Sequence, residues 1–153
     1  MQIVTHQQML DSIGHSLPPT DWFCVTQQQI DRFADCTHDH QFIHVDEEKA
    51  RQTPFGTTIA HGFLTLSMLS YFAESFSLQV EGAVMGINYG FDKVRFLAPV
   101  TQGSRIRGIA RIKEVDDTKS GQYKVTYDVT IEIENSAKPA LKAEWIGLQL
   151  IKK

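Results

Sequence analysis

One segment restricts the fold more than any other: a mainly apolar run, residues 59–76, with the periodicity of a helix. One stripe of this helix contains Phe63, Leu66, Leu69, Phe72 and Phe76, and a second side carries Leu64, Met68 and Tyr71. A membrane helix needs about 20 predominantly apolar residues, whereas this run is shorter and is diluted by threonine and serine. A helix that is apolar on most sides must be enclosed by the rest of its domain.

The second half of the chain supplies the enclosing surface. Its segments are rich in β-branched and aromatic residues and are separated by turn-forming residues: 82–90, 93–100, 104–115, 122–135 and 140–151. Apolar and polar residues alternate clearly in 122–135, which predicts a strand with one buried face and hence an antiparallel sheet. Helices followed by several strands predict an α+β domain in which the sheet wraps around the long central helix.

Composition argues against several classes of function. With 153 residues, 42% hydrophobic residues and a net charge of −3, the chain has the balance of one globular domain and lacks the basic excess typical of nucleic-acid binding. No basic stretch followed by an apolar core opens the sequence, so neither a signal peptide nor a membrane anchor is expected. Cys24 and Cys36 match no disulfide framework or metal motif. We therefore expect a reducing, cytoplasmic location.

The stretch THDHQFIH, residues 37–44, lies between a predicted helix that ends at Cys36 and a short helix capped by Asp46. Asp39 and His44 are five residues apart, a spacing that rotates them by about 140° in a helix and places them on opposite faces of a strand. If they act together, an irregular loop must aim them. A carboxylate and a neutral imidazole that converge can both accept hydrogen bonds from one water and activate it.

Two other interpretations of this loop stay open on the residues alone. Asp39 can simply bond local backbone amides in a polar turn. His40 and His44 have the spacing of a helical zinc motif, with His38 as a further ligand, but Gln41 stands where the HExxH pattern has its glutamate. A metal site is therefore not expected.

Gly62 stands near the start of the long helix, where glycine costs about 1 kcal/mol relative to alanine. It either allows close packing on the sheet or lets a ligand approach bare backbone. Amides at a helix start have no partner within the helix and can bind an oxyanion or a polarised carbonyl. His61 beside it either lines the pocket or orients the loop. Water activation and carbonyl polarisation together fit hydration of an activated double bond or hydrolysis of an ester or thioester.

The same segments carry a family resemblance. FADCTHDHQFIHVDEEKA followed by PFGTTIAHGFLTLSML resembles the MaoC-like family of R-specific enoyl-CoA hydratases and 3-hydroxyacyl-thioester dehydratases. The family pattern is Asp-x-Asn-Pro-x-His followed by an Ala-His-Gly segment, and Asp39, His44 and residues 60–62 keep that spacing. DHQFIHVD, with GINYGFDKVRF and PVTQGSRIR downstream, is most similar to the NodN-like branch. The resemblance covers about residues 20–150 of a single domain, 1–153.

The resemblance implies a hot-dog fold and a homodimer or dimer of dimers. It implies a hydro-lyase that reversibly hydrates a trans-2-enoyl thioester of coenzyme A or acyl carrier protein to the (R)-3-hydroxyacyl thioester, with no metal or other cofactor. Asp39 and His44 would hold and activate the water, and the backbone N–H of Gly62 would bind the thioester carbonyl oxygen. His61 and Ser70 would support the site.

Two positions depart from the family pattern: His38 replaces a common glycine, and the pair Gln41-Phe42 replaces Asn-Pro. The first change can alter the loop conformation, but neither removes the two proposed catalytic groups. The competing hypotheses are a hot-dog acyl-CoA thioesterase and a non-catalytic acyl-thioester binding protein. Retention of both Asp39 and His44 argues against a pure binding protein.

Several cations on the predicted strands are placed where they could meet the phosphates of coenzyme A: Lys93, Arg95, Arg105 and Arg107. Exposed charges on strands more often serve solubility, so the sequence assigns none of them to a binding site.

Overall fold

The computed structural model, which describes residues 1–152, is built on a curled antiparallel sheet and one long helix. The strands of this sheet are β2 (Phe23–Cys24), β4 (Ala83–Phe96), β5 (Arg105–Asp116), β6 (Gln122–Ile133) and β7 (Leu141–Ile151), in the spatial order β2-β5-β6-β7-β4. β1 (Gln2–Val4) and β3 (Leu78–Val80) form a separate parallel pair. The helices are α1 (His6–Asp11), α2 (Gln27–Thr37), α3 (Phe42–Val45), α4 (Glu47–Ala50) and α5 (Gly62–Phe76).

α5 buries one face against the inner face of the sheet. Its buried side chains recur at helical spacing: Leu64, Thr65, Met68, Leu69, Phe72 and Phe76. The helix packs closely on the sheet at Gly108 of β5, where an added Cβ would lie 2.9 Å from the Cβ of Phe72. The predicted α+β architecture, an antiparallel sheet wrapped around a central helix, is confirmed.

The long helix differs from the prediction in its start and in part of what it buries. It begins at Gly62 rather than Ile59, because Ile59 forms an isolated antiparallel bridge with Thr101. Phe63 and Tyr71, expected on apolar faces inside the domain, are 68% and 53% exposed. The sheet covers only one side of the helix, so aromatic side chains on the far side stay uncovered. Within residues 1–152 no helix is long and apolar enough to cross a membrane.

β4 also differs from the prediction, which placed separate strands at 82–90 and 93–100. It is one strand, Ala83–Phe96, paired with β7 through several irregularities of register. One of them lies between Asp92 and Arg95, and Lys93 within it has a positive φ of 53°. A bulge of this kind lets a strand bend and continue pairing. Residues 97–100 are consequently a connection rather than a strand.

The short helices of the first half begin where the sequence predicts. The Thr26 side chain accepts from the N–H of Gln29 and caps α2, and the Asp46 side chain accepts from the N–H of Lys49 and caps α4. The segment between them, expected to be a loop throughout, contains the single helical turn α3. Together α2, α3 and α4 place this segment beside the start of α5.

Candidate active site

The path of the chain between α2 and α3 is set by His38. This residue ends α2 with φ 58° and ψ 23°, a left-handed conformation that glycine adopts most easily. Histidine at this position therefore keeps the turn that a glycine would make and carries its steric cost. Replacing the family's glycine by His38 therefore does not change the direction of the loop. It places backbone strain at His38.

Asp39, His44 and His61 converge at the end of this turn. A carboxylate oxygen of Asp39 and one ring nitrogen of each histidine all lie within 4.8 Å of one another. Both histidines are buried, whereas the Asp39 side chain is 55% exposed. The cluster is therefore enclosed on the imidazole side and open to solvent on the carboxylate side.

His44 is held in one tautomer. Its Nδ1 lies 2.7 Å from the carbonyl oxygen of Ile59, and since a carbonyl only accepts, Nδ1 carries the hydrogen. The neutral ring then has its lone pair on Nε2. Burial is the main reason that the pKa of His44 is lowered from 6.5, and it outweighs the opposing effect of the hydrogen bond to Ile59. At neutral pH, His44 is therefore a neutral imidazole that offers Nε2 as an acceptor.

His61 orients the loop. Its Nε2 donates to the backbone carbonyl of Asp39 at 2.9 Å, and its ring stacks on that of His44 with 3.7 Å between centroids. The ring of Phe33 packs against it, with the centroids 5.0 Å apart. Nδ1 of His61 is buried and has no hydrogen-bond partner within residues 1–152. Of the two roles considered from the sequence, these contacts favour positioning of the loop.

The carboxylate of Asp39 is only weakly engaged by the protein. Oδ1 accepts from the N–H of Gln41 at 3.4 Å, which is longer than a typical hydrogen bond, and Oδ2 lies 3.9 Å from Nε2 of His61. The local-turn interpretation is thus correct in part. Asp39 and His44 do not bond directly, but a water making two bonds of about 2.8 Å joins acceptors roughly 4.6 Å apart. The separation of their polar atoms, within 4.8 Å, suits one shared water.

The histidine pair considered for a metal is not assembled. His40 is turned toward Asp35, with Nε2 2.9 Å from a carboxylate oxygen. The groups close enough to hold a cation are instead Asp39, His44 and His61. Nε2 of His61, the nitrogen 3.9 Å from the Asp39 carboxylate, already donates to a carbonyl, so the acceptors beside it are the Asp39 carboxylate and Nε2 of His44. The other nitrogen of His61, Nδ1, is an acceptor that has no partner within residues 1–152. The set beside Nε2 of His61 fits a hydrogen-bonded water better than a three-ligand metal site.

Gly62 faces a cavity beside the cluster. It is the first residue of α5, so its amide has no acceptor within the helix. Gly62 and His44 both line a cavity of about 250 Å³, and residues 96–100 form another part of its wall. An added Cβ at Gly62 would lie 3.1 Å from the ring of Phe96. The contact with Phe96 shows the close packing considered for this glycine, and the cavity beside its backbone leaves the role in ligand binding as a prediction.

Ser70 is not brought to the cluster. It lies on the exposed surface of α5, eight residues after Gly62, a distance of about 12 Å along the helix axis. It does not line the cavity, so a supporting role for Ser70 has no basis in the geometry of one chain. The sequence reasoning missed the carbonyl of Ile59 and the wall at Phe96. The apolar run that ends at Val100 was the available signal for the wall, but nothing in the sequence marks a backbone carbonyl as a partner of His44.

Comparison with known proteins decides the family. The family model described as "MaoC like domain" matches residues 8–134. The chain belongs to the MaoC-like dehydratase family. It is 51% identical over 137 residues to Nodulation protein N of Rhizobium leguminosarum bv. viciae, and the matched region covers 89% of this chain and 85% of that protein. It is 47% identical over 133 residues to 3-hydroxyacyl-thioester dehydratase Z of Mycobacterium tuberculosis, and the matched region covers 87% of both proteins.

A solved structure agrees with the fold. The (R)-hydratase from A. caviae involved in PHA biosynthesis has a TM-score of 0.69 and 21% identity, and the match covers 88% of this chain and 94% of that one. The MaoC-like resemblance, its NodN-like branch and the hot-dog fold are confirmed. The MaoC-like family and the dehydratase among the relatives of high identity support hydro-lyase chemistry for this protein at a coarse level.

Proposed function

We propose that this MaoC-like protein is an R-specific enoyl-thioester hydratase that also works in reverse as an (R)-3-hydroxyacyl-thioester dehydratase. The observation that carries the proposal is the placement of the Asp39 carboxylate and the neutral His44 within reach of one water, beside a cavity lined by Gly62. The name of the M. tuberculosis relative supports a thioester substrate.

In the proposed hydration, a water bound between Asp39 and Nε2 of His44 attacks C3 of the trans-2-enoyl thioester while His44 takes its proton. Electrons move from the double bond toward the thioester oxygen, which accepts a hydrogen bond from the N–H of Gly62. His44 then returns the proton to C2, so hydroxide and proton have both been added and the imidazole is neutral again. His61 keeps the Asp39 loop in position. The reaction needs no redox change, and we propose that no cofactor takes part.

We also propose that two copies pair along the outer edge of β4, which ends the main sheet. Apolar side chains are exposed along it: Val84, Met85, Ile87 and Tyr89. Free strand edges with apolar side chains are normally covered. Sedimentation should show a dimer for the wild type and a monomer for Ile87→Lys combined with Tyr89→Lys. A wild-type monomer at micromolar concentration would remove this part of the proposal.

The activity is tested with crotonyl-CoA and longer trans-2-enoyl-CoAs, using protein dialysed against a chelator. We expect hydration, with the (R)-3-hydroxyacyl product identified by chiral chromatography. Asp39→Asn and His44→Ala should each lower kcat by about 100-fold or more, because each removes a group that binds the attacking water. Circular dichroism checks that both variants are folded.

Three results would overturn this function. Full activity in either variant would show that the water is activated elsewhere. Thiol release from saturated acyl-CoAs without hydration of enoyl-CoAs would identify a thioesterase. Tight binding of acyl-CoA with no turnover would identify a binding protein.

A further inference from the structure

Thr65 brings a hydroxyl to the cavity that Gly62 and His44 line. It lies on the buried face of α5 and is 4% exposed. Among the described residues that line this cavity, only His44 and Thr65 have polar side chains. Ligand cavities are typically lined by apolar groups, with a few polar groups that orient the ligand. Thr65 is therefore the one polar side chain of this cavity to which the proposed mechanism gives no role.

The Thr65 hydroxyl is only weakly bonded by the protein. Its Oγ1 donates to the carbonyl of His61 at 3.4 Å, whereas a hydroxyl bond is usually about 2.7–2.8 Å long. Ser67 of the same helix makes the same kind of bond, to the carbonyl of Phe63 four residues earlier, at 2.7 Å. The geometry of α5 thus permits a short bond, but Thr65 does not make one. Its hydroxyl stays available to a better acceptor.

The side chain of Thr65 has the freedom to reach such an acceptor. Threonine in a helix has two accessible χ1 rotamers. Rotation about χ1 moves the hydroxyl to another position on Cβ, so it can leave the carbonyl of His61 when a ligand fills the cavity. A buried hydroxyl without a good hydrogen bond opposes folding. The hydroxyl therefore adds little to the stability of the empty protein.

Thr65 lies one turn of α5 beyond Gly62, on the same side of the helix. Residues three positions apart are neighbours on a helix surface and differ by about 4.5 Å along the axis. Side chains in a helix lean toward its N-terminus, so that of Thr65 leans toward Gly62. A ligand that contacts the Gly62 amide from within this cavity therefore lies beside Thr65 as well.

We propose that Thr65 is a substrate-binding residue whose hydroxyl donates to a carbonyl oxygen of the thioester substrate. This inference rests on the proposed function and adds a polar contact beyond Gly62. A coenzyme A or acyl-carrier thioester offers two kinds of carbonyl, the thioester carbonyl and the amide carbonyls of its pantetheine arm. Both are acceptors for a hydroxyl donor.

The test is Thr65→Val, which replaces the hydroxyl by a methyl group at nearly constant volume. We expect kcat/KM for crotonyl-CoA to fall about three- to tenfold, the usual value of one neutral hydrogen bond. Thr65→Ser keeps the hydroxyl and should stay within twofold of the wild type. The matched control is Ser67→Ala, which removes a hydroxyl from the exposed side of the same helix and should change nothing. In urea, Thr65→Val should be at least as stable as the wild type.

The acceptor is located with three substrates: crotonyl-CoA, crotonyl-N-acetylcysteamine and the ethyl thioester of crotonic acid, which has no amide. A loss with all three assigns the thioester carbonyl, and a loss confined to amide-bearing substrates assigns the arm. The inference is overturned if no substrate responds, if Ser67→Ala has the same effect, or if Thr65→Ser loses as much as Thr65→Val. Lower stability of Thr65→Val would overturn it too, because the hydroxyl would then serve the fold.

Calorimetric titration with butyryl-CoA separates this inference from the proposed function, because a saturated thioester binds without being hydrated. Thr65→Val should bind butyryl-CoA about three- to tenfold more weakly than the wild type, and Ser67→Ala should bind it equally well. If the wild type hydrates no thioester, the proposed function fails and this titration still decides the role of Thr65. Equal binding by Thr65→Val, or no binding by the wild type, would overturn the inference.

Discussion

His44→Asn separates the catalytic role of His44 from its structural role. The amide nitrogen of asparagine is attached to Cγ as Nδ1 of histidine is, so it can donate to the carbonyl of Ile59 in place of Nδ1, which lies 2.7 Å from that oxygen. No atom of asparagine replaces Nε2, the ring nitrogen whose lone pair stays free when Nδ1 donates to Ile59. We expect kcat/KM for crotonyl-CoA to fall about 10²–10⁴-fold, the usual contribution of a general base. This equals about 2.7–5.5 kcal/mol of transition-state stabilisation.

The stability of this variant should fall less than that of His44→Ala. Both lose the ring stacked on His61 at 3.7 Å, but only alanine leaves the carbonyl of Ile59 without its donor. An unsatisfied buried acceptor costs about 1–3 kcal/mol, which is the difference we expect between the two variants in urea unfolding at equal protein concentration. His44→Asn activity within a few fold of the wild type would refute the role of Nε2. Equal stabilities would refute the structural role of the Nδ1 hydrogen bond.

Three further predictions follow from particular residues. Because burial lowers the pKa of His44 from 6.5, kcat/KM should fall at acid pH with a midpoint below 6.5, and a midpoint above 6.5 would contradict this. The free energy of unfolding of the wild type should also approach that of His44→Asn as the pH falls below 6.5, because the unfolded state then binds a proton that the folded state excludes. His38→Gly should raise the free energy of unfolding by about 1 kcal/mol, since His38 has φ 58°. A lower free energy of unfolding for the variant, measured in urea, would contradict this. Gly108→Ala should lower the free energy of unfolding by about 1–3 kcal/mol, because the new Cβ would lie 2.9 Å from the Cβ of Phe72. The control in thermal unfolding is Gly147→Ala, whose Cβ would have its nearest contact at 3.8 Å and should change stability little.

The long helix and the strands could be predicted from the sequence because both are encoded by local periodicity. Thr26 and Asp46 cap their helices as predicted, since a capping side chain bonds an amide only three residues away. The prediction was wrong where burial depends on distant segments. Phe63 and Tyr71 have the spacing of buried residues, but the sheet does not reach their side of α5.

The sequence by itself determined most of the long elements, the family and the residue types at the site: a carboxylate, two imidazoles and a helix-start glycine. It could not determine that these meet, because Asp39 and His44 are separated by a spacing that neither helix nor strand brings to one side. Only the tertiary structure decided their convergence, through a left-handed turn at His38 and a carbonyl at Ile59, which is fifteen residues from His44. Local periodicity fixes how a segment folds, whereas long-range pairing fixes which segments lie together.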